Sequence, residues 1–129
     1  MSAIYELANS YVERWAAPDP IGATSRGTPG HDTEMTDFSP DGAAARAELD
    51  RSTLRTLSSL PPESERDRLA ADVMRERLEA AIDRHAIGEW LRDLRVIGSP
   101  VQAVRQVFDL MPTVCRSATP TGGRGPSPD

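Results

Sequence analysis

The regular part of this sequence ends at about Pro112, and that boundary constrains the fold more than any single motif does. Before it, apolar residues recur at helical spacing between clear start and stop signals. After it, residues 113–129 have no periodicity and contain three Pro, three Gly and the chain's only Cys, Cys115. We therefore predict a helical region over residues 1–112 and a disordered tail over residues 113–129, of the kind that a frameshift or a truncation produces.

Two amphipathic helices are predicted in the first half of the chain. Ser2 is an N-cap candidate for the first helix, which Pro18 ends. Its apolar stripe comprises Ile4, Leu7, Ala8, Tyr11, Val12 and Trp15. The second helix begins with Ser39 as N-cap and Pro40 at the first helical position, and it runs to Leu60. Its stripe comprises Ala47, Leu54 and Leu57, with Leu49 and Leu60 beside them. Between these helices we expect at most one helical turn at residues 21–25, then a polar loop at 31–38.

Two further helices are predicted in the second half. One covers residues 63–85, with Gly88 as its C′ residue and charged pairs on its solvated side. Its stripe comprises Leu69, Ala70, Val73, Leu78, Ala81 and Ile82. Residues 89–98 fit either a short helix or an extended connector. The last helix begins at Ser99 and Pro100, and its stripe comprises Val101, Val104, Val107, Phe108 and Met111. With no useful stretch of alternating residues, the predicted fold is all-α, with about four amphipathic helices and Pro/Gly-rich connectors.

The charge balance and the single cysteine limit the partners and the compartment. A net charge of −5 argues against nucleic acid and anionic membranes, which select basic surfaces. No stretch approaches the roughly 18 apolar residues of a membrane span. One Cys excludes an internal disulfide framework, and the first residues lack the pattern of a secretory signal, so we expect a cytoplasmic protein.

Few residues in the chain suggest chemistry. His31 lies in an acidic loop that lacks the ligand order of a calcium site, and we interpret the loop as solvated. His85 and Glu89 are four residues apart, as are Asp72 and Glu76, which resembles part of a metal site in a helical bundle. Gly88 weakens the helix between the first pair, however, and the second pair lies on a charged face.

Cysteine and tryptophan give no stronger indication of a site. Cys115 lies beyond every predicted helix with no neighbouring base, so an incidental thiol is expected. Trp15 and Trp90 are interpreted as core anchors, because no basic groove accompanies them. We therefore predict no catalytic, cofactor-binding or metal-ligating residue in this chain.

A succession of short phrases resembles the N-terminal region of a large bacterial family known as domain of unknown function 885. The phrases are Trp15-Ala16-Ala17-Pro18-Asp19-Pro20, Gly27-Thr28-Pro29-Gly30-His31-Asp32, Met35-Thr36-Asp37-Phe38-Ser39-Pro40-Asp41-Gly42, Gly98-Ser99-Pro100-Val101-Gln102 and Val107-Phe108-Asp109-Leu110-Met111-Pro112-Thr113. The resemblance covers residues 1–113.

The resemblance implies that residues 1–112 are the N-terminal part of a larger all-α domain. Longer members resemble zinc metallopeptidases, because their C-terminal half carries an H-E-x-x-P-G-H-H-like element in which two His bind zinc and a Glu activates water. No residue here matches that element, so zinc is expected only in full-length members. The resulting hypothesis is a fragment of a zinc-dependent hydrolase that is inactive alone. The alternative is a free-standing helical module that self-associates or docks on a protein partner through the apolar face of its last helix.

Overall fold

Five α-helices and one 3₁₀ helix make up the regular structure of the part of the chain that a computed structural model describes, residues 1–92 and 97–110. The elements are α1 (Ala3–Ala16), α2 (Pro20–Arg26), α3 (Pro40–Ser59), α4 (Glu65–Ala86), the 3₁₀ helix (Glu89–Arg92) and α5 (Pro100–Leu110). Within these ranges no strand is present, which confirms the all-α prediction. The tail predicted as disordered begins at 113 and lies outside the described residues.

Local sequence signals set most of the helix ends. Ser39 Oγ accepts a hydrogen bond from Gly42 N at 3.2 Å, and Pro40 occupies the first position of α3. Ser64 Oγ does the same for Asp67 N at 3.1 Å at the start of α4. Gly88 follows α4 with a φ of 70°, the left-handed conformation predicted for its C′ residue.

The core lies where α1, α3 and α4 meet. Ile4, Leu57, Ala71 and Leu78 form its buried cluster, and α3 packs against α4 over the longest interface. Partly buried apolar residues surround the cluster: Leu7, Tyr11, Leu54, Leu60, Ala70 and Met74. None of the helices in the described ranges combines the length and apolarity that a membrane span requires.

Helix α2 is longer than the single turn that we predicted, because side chains from both flanks hold it. Asp19 Oδ1 caps its N-terminus through Gly22 N at 3.2 Å. Thr36, from the 31–38 loop, accepts a hydrogen bond from Ile21 N at 3.1 Å and donates one to Asp19 Oδ1 at 2.9 Å. Gly27 ends the helix in the left-handed region, at φ 76°.

The sequence suggested that the 31–38 loop is solvated, and this interpretation is wrong for part of the loop. Thr36 is buried, and Asp32 Oδ1 accepts a hydrogen bond from Thr24 Oγ1 of α2 at 3.0 Å. On the other side, the loop approaches α3 so closely that a Cβ added at Gly42 would overlap the carbonyl oxygen of Asp37. The loop thus joins α2 to the start of α3.

Helix α5 packs against α2 rather than on the main core. Val107 of α5 is fully buried, with 0% of its surface exposed, and α2 is the helix that α5 contacts. Ser99 precedes the helix, and its N–H donates to Gln102 Oε1 at 3.2 Å, the backbone half of a capping box.

Candidate ligand-binding cleft

An open cleft of about 370 Å³ lies between α1, α3 and the C-terminal end of α4. Helical spacing assembles its walls: residues 43, 46, 47 and 50 lie on one face of α3, and residues 81, 84 and 85 on one face of α4. Small alanines leave the space, and polar or aromatic side chains border it. The lining residues are Trp15, Ala43, Arg46, Ala47, Asp50, Ala81, Arg84, His85, Glu89 and Trp90.

Asp50 is the buried acid of this cleft, with only 3% of its surface exposed. Tyr11 Oη of α1 donates a hydrogen bond to Asp50 Oδ1 at 2.8 Å. Burial raises the pKa of the Asp50 carboxyl, and the Tyr11 hydrogen bond and the charges of Arg51 and Arg84 oppose that rise. Burial, together with the bond to Asp50, also raises the pKa of the Tyr11 hydroxyl, which keeps it a proton donor.

His85 borders the same space from the last turn of α4. Its Nδ1 is buried and has no hydrogen-bond partner within the described ranges. The imidazole ring lies nearly parallel to the Trp90 indole, with 12° between the planes and 6.2 Å between the ring centroids. Trp15, across the cleft, contacts Tyr11 at a centroid distance of 5.8 Å.

The two arginines of the cleft differ in their hydrogen bonds to the described residues. Arg46 Nη1 donates to the carbonyl oxygen of Asp37 at 2.7 Å and to that of Pro18 at 3.3 Å, so it serves to hold two connectors together. Arg84 is exposed at the rim, and it makes no hydrogen bond or ion pair with any other residue that the structure describes. It still acts on Asp50 through its charge.

A second depression is an apolar groove of about 450 Å³ between α1 and α4. Its lining includes Val12, Leu69 and Val73, which are 51%, 65% and 51% exposed. We predicted Leu69 and Val73 as part of the inward stripe of α4, and that prediction is wrong. The buried residues of α4 are Asp67, Ala71 and Leu78, of which only Leu78 was on the predicted stripe.

The last helix presents apolar side chains outward as well. Val101, Phe108 and Leu110 are 68%, 57% and 58% exposed, whereas Val107 is buried. Met111, the end of the predicted stripe, lies outside the described residues. An apolar outer face on α5 is therefore present, although Val107, which was placed on the same stripe, turns inward to α2.

The sequence profile of the family described as "Bacterial protein of unknown function (DUF885)" matches residues 20–118. The match covers well over half of the chain. This chain belongs to the DUF885 family. All the lining residues of the cleft except Trp15 fall within the matched range, whereas α1, which supplies Trp15 and Tyr11, precedes it. No curated protein matches the chain.

The DUF885 chain brings together some of the residues that its sequence singled out. His85 and Glu89 both border the cleft, and both tryptophans are half-buried cleft residues rather than the core anchors that we predicted. His31 Nδ1 lies 2.9 Å from Glu34 Oε2 in the 31–38 loop, far along the chain from the cleft residues of α4.

The remaining candidates do not join a site. Asp72 and Glu76 are exposed on the charged face of α4, where Asp72 pairs with Arg75 at 2.9 Å. Cys115 lies outside the described residues. Across residues 1–92 and 97–110, no group of three or more His, Cys, Asp or Glu side chains is placed to hold a metal ion.

The sequence analysis did not identify Asp50 as a cleft residue, because a single Asp on a helix is ordinarily solvated. The one available signal was its spacing: Asp50 lies three residues after Ala47 and seven before Leu57, on the apolar face of α3. A carboxylate on such a face needs a hydrogen-bond partner. Tyr11, which lies on the apolar stripe of α1, is that partner.

Proposed function

We propose that this chain is the N-terminal helical region of a DUF885 protein that acts as a zinc-dependent, peptidase-like hydrolase. In this proposal the region packs against the helices that carry the zinc ligands and supplies none of them. The observation that supports it is the outward apolar surface of α5, formed by Val101, Phe108 and Leu110. The exposed Leu69 and Val73 beside α1 provide a second surface of the same kind.

The donor set of the described residues does not fit a zinc centre. His85 and Glu89 are the only His and Glu side chains that border the cleft within the described ranges, and Asp50 is engaged by Tyr11. No group of three candidate ligands forms in that part of the chain. We therefore derive no catalytic step through zinc from these residues, and the hydrolase proposal rests on the family resemblance.

The free energy that is gained when such apolar surfaces are covered explains why they suggest a partner. Contiguous apolar patches of a few hundred Å² on soluble proteins mark interfaces or cause aggregation. Covering about 200 Å² at about 25 cal/mol per Å² contributes about 5 kcal/mol, comparable to the whole stability of a small domain. The chain alone should therefore unfold with weak cooperativity, bind an apolar dye or self-associate.

The alternative is a free-standing helical interaction module. The closed core of Ile4, Leu57 and Leu78, each no more than 2% exposed, favours it, because α1, α3 and α4 bury their central contacts without help. In that case the outer face of α5 would be the docking surface for a protein partner or for a second copy.

The cooperativity of thermal unfolding of the purified chain separates the two functions, whereas dye binding and light scattering report the exposed face of α5. The hydrolase-region proposal predicts dye binding that falls in a Val101→Ser, Phe108→Gln double variant, since both side chains are exposed. Met35→Gln is the matched control, because Met35 is also 50% exposed but lies on the loop. A chain that unfolds in one sharp, reversible transition would overturn the proposal in favour of the module.

Metal content and activity provide a second test. The purified chain should hold less than one zinc per molecule after dialysis and should cleave neither peptide nor ester substrates above background. Tightly bound stoichiometric zinc would contradict the assignment of the ligands to another part of the enzyme. The acidic charge and single Cys also support a cytoplasmic protein that binds neither nucleic acid nor membranes.

A further inference from the structure

Two polar groups in the cleft have hydrogen-bonding capacity that the described residues do not use. An ionised carboxylate accepts about four hydrogen bonds, yet Asp50 accepts one, from Tyr11, and forms no ion pair within the described ranges. Nδ1 of His85 is buried without a partner there. Buried groups of this kind are costly unless they are satisfied, and a ligand is one means of satisfying them.

The third polar group is a cation, the guanidinium of Arg84 on α4. Arg84 borders the cleft, is exposed at its rim and pairs with no described acid. Its guanidinium presents parallel N–H donors that suit a carboxylate. The cleft therefore has a buried carboxylate, Asp50 of α3, and an exposed guanidinium, Arg84 of α4, whereas the second arginine of the lining, Arg46, is bonded to Asp37 and Pro18.

We propose that the cleft binds a small zwitterion, a free α-amino acid or a dipeptide. The ammonium group of the ligand is held by Asp50 and His85, and its carboxylate is held by Arg84. A simple anion would meet the negative charge of Asp50, and a simple cation would meet the positive charge of Arg84. A ligand that carries both charges complements both groups.

The rest of the lining fits the same class of ligand. Trp15 and Trp90 provide apolar faces for the aliphatic part of the ligand, and an indole face also attracts an ammonium group. A volume of about 370 Å³ lies within the range of small-ligand sites.

The inference needs neither a metal nor the hydrolase proposal, because it concerns binding by this chain as it stands. A chain without zinc and without activity can still bind the ligand, and a hydrolytic protein can leave the cleft empty. The two proposals therefore fail independently.

Calorimetric titration of the purified chain with phenylalanyl-alanine tests the charge pattern. The free dipeptide should bind at least about tenfold more tightly than its N-acetyl form and its C-terminal amide, since each removes one charge-assisted contact. Asp50→Asn should abolish the discrimination against the N-acetyl form, and Arg84→Gln the discrimination against the amide. Arg68→Gln is the matched control: Arg68 lies on the same helix, outside the cleft, and pairs with Glu65 at 3.0 Å.

Three results would overturn the inference. One is the absence of binding up to millimolar dipeptide by a chain whose far-UV spectrum is helical. Another is equal binding of the free and blocked dipeptides. The last is an Arg84→Gln variant that discriminates as the wild type does; this substitution is at an exposed position, so it remains informative even if Asp50→Asn impairs folding.

Discussion

Replacing Tyr11 with phenylalanine tests how the buried acid of the cleft is tolerated. The substitution removes a hydroxyl that lies 2.8 Å from Asp50 Oδ1 and leaves the packing of the ring in place. A hydrogen bond to a charged group contributes about 1.5–3 kcal/mol, and Asp50, at 3% exposure, has little water to replace it. Tyr11→Phe should therefore lower the free energy of unfolding by about 1.5–3 kcal/mol.

Urea unfolding followed by circular dichroism measures this loss, and a double-mutant cycle with Asp50→Asn assigns it. With the neutral amide in place, the hydroxyl makes an uncharged hydrogen bond that contributes about 0.5–1.5 kcal/mol. The two substitutions should therefore be coupled by about 1 kcal/mol.

Tyr5→Phe is the matched control for the loss of a phenol. The Tyr5 ring lies under Arg66, at 5.8 Å from the guanidinium carbon, and its hydroxyl makes no hydrogen bond to another residue that the structure describes. Its replacement should change the free energy of unfolding by less than about 0.5 kcal/mol. If Tyr11→Phe costs no more than Tyr5→Phe, or if the cycle shows no coupling, the hydrogen bond does not stabilise the acid as argued.

Three further predictions concern other parts of the fold. Because burial raises the native pKa of Asp50 above 3.8, stability should fall as pH rises through 3.8 to the native pKa, and Asp50→Asn should reduce that fall in urea titrations at several pH values. Val107→Ala should lower the free energy of unfolding by about 2 kcal/mol and speed amide hydrogen exchange in α5. An equal increase in the exchange rate of α3 would contradict a separate α2–α5 contact. Ser64→Ala should cost about 1 kcal/mol in thermal unfolding, while Ser64→Asp, which keeps an acceptor, should cost far less; equal losses would argue against the cap.

The helix ends were largely predictable because the signals are local. Ser39 followed by Pro40 places a side-chain acceptor and a residue without an N–H where the helix needs them, and the structure begins α3 there. The same logic failed in part at Ser2. Its hydroxyl does not cap α1 but donates to Asp67 Oδ1 of α4 at 2.8 Å, a contact across 65 positions of sequence.

The buried face of α4 was only partly predictable from apolar periodicity, which placed Leu78 and Ala70 correctly. Its buried residues are Asp67, Ala71 and Leu78, and Leu69 lies on the other side. Asp67 belongs to the buried face because Ser2 and Glu63 N satisfy its carboxylate, at 2.8 and 3.3 Å. A count of apolar residues cannot recognise a polar residue whose partner comes from another element.

The cleft was unpredictable for the same reason. Tyr11 and Asp50 were assigned to two separate helices, and nothing in the sequence states that these helices meet at that point. His85 and Glu89 were noticed through their spacing, which places them near each other but does not identify what faces them. The tertiary contacts of α1 with α3 and α4 decide the outcome.

Because the backbone of Asp37 lies so close to Gly42, a substitution at position 42 is sensitive to whether the preceding loop keeps its place. On helix preference alone, alanine would stabilise α3 by about 1 kcal/mol relative to glycine. With the loop in place, the methyl group of alanine would overlap the backbone of Asp37. The gain in helix stability is therefore realised only if the loop moves away from α3. Cellular abundance across all substitutions at this single position would therefore record how firmly the segment between α2 and α3 is held in the living cell.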